Sequence, residues 1–106
     1  MYAQLTYFDG PRSAELLAAA DFAARERIEP VARSVPGTIR TYVLRKSDGA
    51  EIVLTIAESE QALADVQTAI MGTHLLPGED AALLPGADRV EVYPVLTVVE
   101  HTGARS

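Results

Sequence analysis

The chain has 106 residues, enough for one domain but not for two. Its 15 acidic and 9 basic residues give a formal net charge of −6, which disfavours binding to nucleic-acid phosphates or anionic lipid headgroups. The absence of cysteine excludes disulfides, thiolate metal sites and thiol nucleophiles. Because no apolar run approaches the length of a membrane span and no secretion signal opens the sequence, we expect a cytoplasmic protein. The strong bias towards arginine over lysine indicates a GC-rich bacterial genome.

The first third of the chain predicts a strand and then an interrupted helix. Residues 2–8 alternate between two sides, are rich in aromatic and β-favouring types, and end at an Asp-Gly-Pro turn, as is typical of a strand. Ser13 is a suitable helix N-cap, and an apolar stripe at spacings of three and four follows it. Pro30 predicts either a kink near residues 26–29 or a fresh helical turn that begins at the proline. The Pro36-Gly37 pair ends the helix.

A hairpin and a second helix follow. Residues 38–46 and 51–57 are both rich in β-favouring types and flank a short turn that contains Gly49, which is typical of a β-hairpin. Ser59 is a suitable N-cap for a helix with apolar positions on one side. Gly72 is placed to supply a left-handed residue at the end of this helix.

The last third predicts a turn-rich connection and a final strand. Residues 73–87 contain repeated Pro-Gly pairs, with one helical turn predicted at 79–84. Residues 89–100 predict a strand with Pro94 inside it, so the domain covers residues 1–100 and residues 101–106 form a C-terminal tail. The element order β-α-β-β-α-β predicts an α+β, ferredoxin-like fold, in which two helices cover one face of a four-stranded antiparallel sheet.

The sheet face away from the helices is predicted to be apolar. A half-buried antiparallel strand normally alternates apolar with polar residues, but residues 51–57 and 89–100 carry apolar side chains on both sides. At roughly 25 cal/mol per Å² of apolar area, leaving several of them in water would cost an amount comparable with the whole stability of a small domain. We therefore expect a homodimer, in which two such sheets face each other as a barrel around a central cavity.

Short structural motifs are spread over most of the chain. They are Pro30, Pro36-Gly37, Tyr42-Val43-Leu44 in the second strand, Asp48-Gly49 at the hairpin and Glu58-Ser59-Glu60-Gln61-Ala62-Leu63 at the start of the second helix. Together they resemble the dimeric α/β-barrel superfamily, and in particular the antibiotic biosynthesis monooxygenase-like family. The resemblance implies binding of a hydrophobic, aromatic small molecule in the barrel cavity. Family members often have Trp where this chain has Ala57, and oxidising members use pocket Asn, Trp and His, whereas this chain contains no Trp and no Asn.

Five strand residues are candidates for the lining of a ligand pocket. They are Tyr7, Tyr42, Thr55, Tyr93 and Arg40. Tyrosine hydroxyls in the cavity would hydrogen-bond an aromatic ligand or orient a substrate oxygen, because a buried hydroxyl needs a partner. The alternative is that the tyrosines are large core residues with a polar tip at the surface. Arg40 would attract an anionic ligand, or it lies on a solvated rim.

His74, after the second helix, is the candidate catalytic residue. It would act as a general base, since imidazole titrates near neutrality, or as an axial haem ligand, or it is a solvated loop histidine. The remaining histidine, His101, lies in the tail, so we predict no metal site, and we predict no cofactor. Three hypotheses for function stay open: a cofactor-independent monooxygenase-like enzyme, a non-catalytic dimeric ligand-binding or regulatory module, and a dimer whose interior is filled by side chains.

Overall fold

The elements follow the predicted order in a computed structural model that describes residues 1–103. The strands are β1 Tyr2–Phe8, β2 Thr38–Arg45, β3 Glu51–Ala57 and β4 Arg89–Pro94. The helices are α1 Ala14–Ala23, α2 Glu29–Arg33 and α3 Glu60–Met71, with a π turn at Ala24–Ile28 and a 3-10 turn at Ala81–Leu83. All neighbouring strands are antiparallel, in the order β2-β3-β1-β4. The predicted ferredoxin-like fold is confirmed.

A π turn interrupts the first helix just before Pro30. The helix begins as predicted, with the Ser13 hydroxyl accepting a hydrogen bond of 3.2 Å from a backbone N–H in the first turn. In a regular α-helix the proline ring would clash with the carbonyl four residues earlier. Here the Glu29 N–H donates to the Ala24 carbonyl, five residues back, so the helix widens where the proline enters. The interruption predicted near residues 26–29 is therefore confirmed, and α1, the π turn and α2 form one helical segment.

The core lies between α3 and the sheet. Ala57 of β3 is fully buried and packs with Ala62 and Leu63 of α3, which are also buried. The Ser59 hydroxyl caps α3 by accepting a hydrogen bond of 3.1 Å from the Ala62 N–H. Gly37, before β2, has φ of +86°, and a Cβ there would lie 2.9 Å from the Ala62 Cβ. Only glycine fits this close approach between α3 and the start of β2.

Two predicted details are wrong. Gly72 follows α3 in a right-handed conformation, with φ of −79°, because its N–H still bonds to the Thr68 carbonyl and continues the helix. The last strand ends at Pro94 rather than at residue 100. Pro94 lies opposite Tyr2, the first residue of β1, so the neighbouring strand ends there. We refer to residues 95–100, which follow β4 outside any strand, as the C-terminal arm.

Arg45 joins the first helix to the sheet. Its Nη2 lies 2.6 Å from the Asp21 carboxylate of α1 and 2.6 Å from the Glu51 carboxylate of β3. The hydrogen bond from Arg45 lowers the pKa of Asp21. These ion pairs tie α1 to the face of the sheet on which α3 also packs. Within residues 1–103 no helix is both long and apolar enough to cross a membrane. Of the predicted tail, residues 104–106 lie outside the described residues.

Candidate functional site

The strand register shows which side chains share the sheet face opposite the helices. Directly opposed residues of antiparallel strands point to the same side, and side chains alternate along each strand. Ala57 packs beneath α3, so its side chain lies on the helix-facing side of the sheet. The residues opposite Ala57 on β1 and β2, and every second residue from them along each strand, share that side. The residues between them lie on the other side. We refer to the second side as the open face. Its residues are Ala3, Leu5 and Tyr7 of β1, Arg40, Tyr42 and Leu44 of β2, Ile52, Leu54 and Ile56 of β3, and Arg89, Glu91 and Tyr93 of β4.

The predicted pocket residues divide between the two faces. Four of the five share the open face: Tyr7, Tyr42, Tyr93 and Arg40. Thr55 points to the other side, where it is 9% exposed and its hydroxyl lies 3.5 Å from that of Thr41. The structure therefore brings the three tyrosines and the arginine to one surface and places Thr55 in the core. Neighbouring residues of a strand lie on opposite faces of the sheet, so residue type alone does not show which predicted pocket residues lie on the open face.

Glu91 is a polar residue of the open face that is not among the predicted site residues. The Tyr93 hydroxyl donates a hydrogen bond of 3.0 Å to Glu91 Oε2. This hydrogen bond and the nearby negative charge raise the pKa of Tyr93, and a hydrogen bond to the same carboxylate is the main cause of the raised pKa of Tyr7. Glu91 thus favours the neutral form of both phenols. The signal in the sequence is the single acidic residue of β4, two positions before Tyr93.

Arg89 lies next to this group but is engaged elsewhere. Its Cζ lies 3.8 Å from the centroid of the Tyr7 ring, which is a cation–π arrangement. Its Nη1 lies 3.5 Å from Asp9 Oδ2, beyond the end of β1. Within the described part of the chain, Glu91 makes no ion pair. The carboxylate at the centre of β4 therefore has the Tyr93 phenol, not a cation, as its hydrogen-bonding partner.

On the β2 side of the open face, the tyrosine accepts a hydrogen bond, whereas Tyr93 on β4 donates one. Arg40 Nη1 donates to Tyr42 Oη at 3.1 Å, and this contact raises the pKa of Arg40. A groove of about 320 Å³ lies here. Its lining residues are Met1, Ile39, Arg40, Tyr42, Ile56, Val95, Val98 and Glu100. The C-terminal arm thus forms one wall of a groove whose other wall is the open face.

A second groove, of about 390 Å³, lies at the opposite end of the strands. It includes Tyr7, Leu44, Ile52 and Arg89 of the open face together with residues of the β2–β3 turn. Both grooves are open to solvent in the single chain. They are of the size that small-molecule sites use, and they become an enclosed cavity only when something covers the face.

His74 lies in a segment that is held against the helical layer. Arg27, in the π turn, donates from Nη1 to the Thr73 hydroxyl at 2.7 Å, and its Nε lies 2.9 Å from Glu79 Oε2. The Glu79 carboxylate, whose side chain is 1% exposed, also accepts from the Leu76 N–H at 2.7 Å. His74 itself is exposed. The structure does not bring His74 to the tyrosines of the open face.

Comparisons with solved structures show the fold of this chain in other proteins. A dimeric ferredoxin-like protein from an uncultured marine organism is 11% identical, with a TM-score of 0.64 over 94% of this chain and 92% of that one. A Streptomyces coelicolor monooxygenase in complex with nanaomycin D is 23% identical, with a TM-score of 0.54 over 94% and 90%. A haem-degrading protein of Mycobacterium tuberculosis is 19% identical, with a TM-score of 0.54 over 93% and 98%.

The likeness is one of structure. No family model matches the chain, and no curated protein matches it in sequence. The structural neighbours align with nearly the whole chain, and they include a protein described as an antibiotic biosynthesis monooxygenase of Nitrosomonas europaea, a cofactor-independent oxygenase of Streptomyces nogalater and the haem-degrading protein. The chain therefore shares the fold of the antibiotic biosynthesis monooxygenase-like proteins, as the motifs in its sequence predict.

Proposed function

We propose that the protein is a homodimer that binds a hydrophobic, aromatic small molecule between its two open faces and acts on it as a cofactor-independent monooxygenase does. The observation that carries this proposal is the open face itself. It is a largely apolar surface on which Tyr7, Tyr42, Tyr93 and Arg40 supply a few polar groups. An apolar lining with a small number of placed polar groups is the general character of small-molecule sites.

The exposure of the open face supports the homodimer. Tyr42, Leu44 and Tyr93 are each 43–51% exposed in the single chain, although they lie in strands. Exposed apolar patches of this kind mark interaction surfaces, since burying them contributes roughly 25 cal/mol per Å². A second copy is the occupant that the short chain always has available, and a two-fold axis brings the same surface to both sides. One of the structural neighbours is described as a dimeric ferredoxin-like protein.

A non-catalytic ligand-binding or regulatory module is the second candidate. The chain has no Trp and no Asn, so the pocket residues that oxidising members of the resembled family use are missing here. None of the twelve residues of the open face is a histidine, and His74 follows Thr73, which Arg27 of the π turn holds by a hydrogen bond. Both candidates use the same cavity and differ only in whether the bound molecule reacts with oxygen.

Haem fits the open face poorly. No histidine is among its twelve residues, so the common axial nitrogen ligand is missing. Phenolate would be the remaining axial ligand, but the neighbouring Glu91 raises the pKa of Tyr7 and Tyr93 and disfavours that form. We therefore assign no haem site and derive no reaction step through haem.

Sedimentation and probe binding test the proposal together. The protein at micromolar concentration should sediment as a dimer and bind an uncharged apolar fluorescent probe such as Nile red with saturation. Leu54→Glu places a charge at the centre of the open face and should abolish both properties. Ala64→Glu, at an exposed position of α3, is the matched control and should abolish neither. A wild-type monomer without saturable binding would contradict the proposal.

Oxygen uptake separates the enzyme from the binding module. Anthrone and hydroquinone compounds serve as substrates, and Tyr42→Phe removes a hydroxyl from the open face. Consumption of oxygen by the wild type that falls in Tyr42→Phe but persists in His74→Ala supports the enzyme. Saturable binding without oxygen uptake supports the binding module.

A further inference from the structure

We infer that the β4 side of the open face selects ligands that donate a hydrogen bond, and that Glu91 is the residue that determines this preference. The inference rests on the proposed function, since it requires a ligand on the open face. It adds a chemical requirement that hydrophobicity alone does not impose.

The first step concerns the direction of the hydrogen bond between Tyr93 and Glu91. An ionised carboxylate has no hydrogen and can only accept, so the 3.0 Å contact uses the single hydrogen of the Tyr93 hydroxyl. With that hydrogen engaged, Tyr93 Oη offers only lone pairs to a ligand. Tyr93, next to Glu91, therefore presents itself to a ligand as an acceptor.

The second step concerns what else is available to Glu91. Arg89, the cation on the same strand, stacks on the Tyr7 ring and faces Asp9. Leu5, an apolar residue, lies directly opposite Glu91 on the neighbouring strand β1. A carboxylate in such surroundings still has unused lone pairs, and covering it is unfavourable unless donors are supplied. A ligand hydroxyl or amine supplies such a donor, whereas an ether or carbonyl does not.

The third step is the contrast with the β2 side. There Tyr42 accepts a hydrogen bond from Arg40, so the Tyr42 hydrogen remains free to be donated. The two sides of one face thus differ in hydrogen-bonding direction, with donors along β2 and acceptors along β4. An aromatic molecule with a hydroxyl group near β4 satisfies this arrangement. The same molecule with that hydroxyl methylated leaves Glu91 without a donor.

A pair of probes that differ only in this hydrogen tests the inference. The dissociation constants of 2-naphthol and 2-methoxynaphthalene are measured at pH 7 by titration calorimetry. For the wild-type protein, we expect 2-naphthol to bind at least about tenfold more tightly, since hydrogen bonds to charged groups are the stronger class. In Glu91→Gln this ratio should fall to about threefold or less, because the acceptor loses its charge.

Two further variants assign the effect to Glu91. Tyr93→Phe removes the hydroxyl but keeps the carboxylate, so the preference for 2-naphthol should persist. Glu58→Gln removes the same charge from an exposed position outside the open face and should behave as the wild type does. Loss of the preference in Tyr93→Phe with its retention in Glu91→Gln would overturn the role of Glu91.

The outcomes distinguish this inference from the function on which it rests. Equal binding of both probes to the wild type overturns the inference and leaves the binding cavity intact. Binding of neither probe overturns the proposed function and the inference with it. Tighter binding of 2-naphthol that depends on Glu91 supports both.

Discussion

Replacing the apolar side chains of the C-terminal arm should weaken the proposed homodimer. In the single chain, Leu96 is 93% exposed, Val98 59% and Val99 68%. Fully burying one such side chain contributes about 1.5–3 kcal/mol. The exposed fractions amount to a little over two complete side chains, so each arm has up to about 3–6 kcal/mol to contribute if a partner covers it. Because a dimer has two arms, we expect the dimer dissociation constant to rise by at least about 100-fold.

The variant that tests this estimate carries Leu96→Ser, Val98→Ser and Val99→Ser together. These side chains are exposed, so the fold of the single chain should be retained, as far-UV circular dichroism would show. Sedimentation velocity over a dilution series gives the dissociation constant for the wild type and the variant. Met71→Ser is the matched control, since Met71 is 74% exposed but lies at the end of α3. Its dissociation constant should equal that of the wild type.

The reasoning fails if the triple variant dimerises as tightly as the wild type. The arm would then remain in water in the dimer, and its exposed leucine and valines would have no stabilising role. A dissociation constant that rises equally in Met71→Ser would also refute it, because the loss would then reflect exposed apolar area in general rather than a contact made by the arm.

Further substitutions test the contacts that position the site. Glu79→Gln should lower the melting temperature, because it leaves the Arg27 side chain, 12% exposed, without its carboxylate. The hydrogen bond from Arg27 lowers the pKa of Glu79 in the folded protein. The stabilisation by ionised Glu79 is therefore present above the pKa of the unfolded chain and is lost as the pH falls through the folded pKa. The melting temperature of the variant should accordingly depend less on pH in the acid range. Gly37→Ala should cost about 1–3 kcal/mol in urea unfolding, because its φ is +86° and a Cβ meets Ala62 at 2.9 Å. Gly86→Ala, with nothing within 4 Å, should be neutral.

Local chemistry was sufficient to predict most elements. The alternation over residues 2–8 and the β-favouring residue types over residues 51–57 predicted both central strands with the bounds that the structure has. Ser13 and Ser59 cap their helices as expected, because a hydroxyl before a helix start satisfies a free backbone N–H wherever the helix packs. These features depend on neighbours within a few residues, which the sequence displays directly.

Most features that local patterns do not display depend on distant contacts. Residues 95–100 are as apolar as a strand, but only Met1 precedes Tyr2 and accepts one hydrogen bond from the Val95 N–H, so the length of β4 is limited by its neighbour. The position of His74 follows from the bond between Arg27 and Thr73, which are 46 positions apart. Glu91 was missed because one acidic residue in a short strand forms no motif, and only the register shows that it shares a face with Tyr7 and Tyr93.

The C-terminal arm and the open face both lack a partner within the described chain. The arm follows β4 without a strand partner, and the open face lies beside it without a covering layer. The groove of about 320 Å³ joins them, since Val98 and Glu100 of the arm and Tyr42 of the open face line it together. A ligand in that groove would contact both surfaces that the proposed dimer covers. Ligand binding and dimerisation must then be linked, and by reciprocity a ligand that favours the dimer is itself bound more tightly by the dimer than by the single chain.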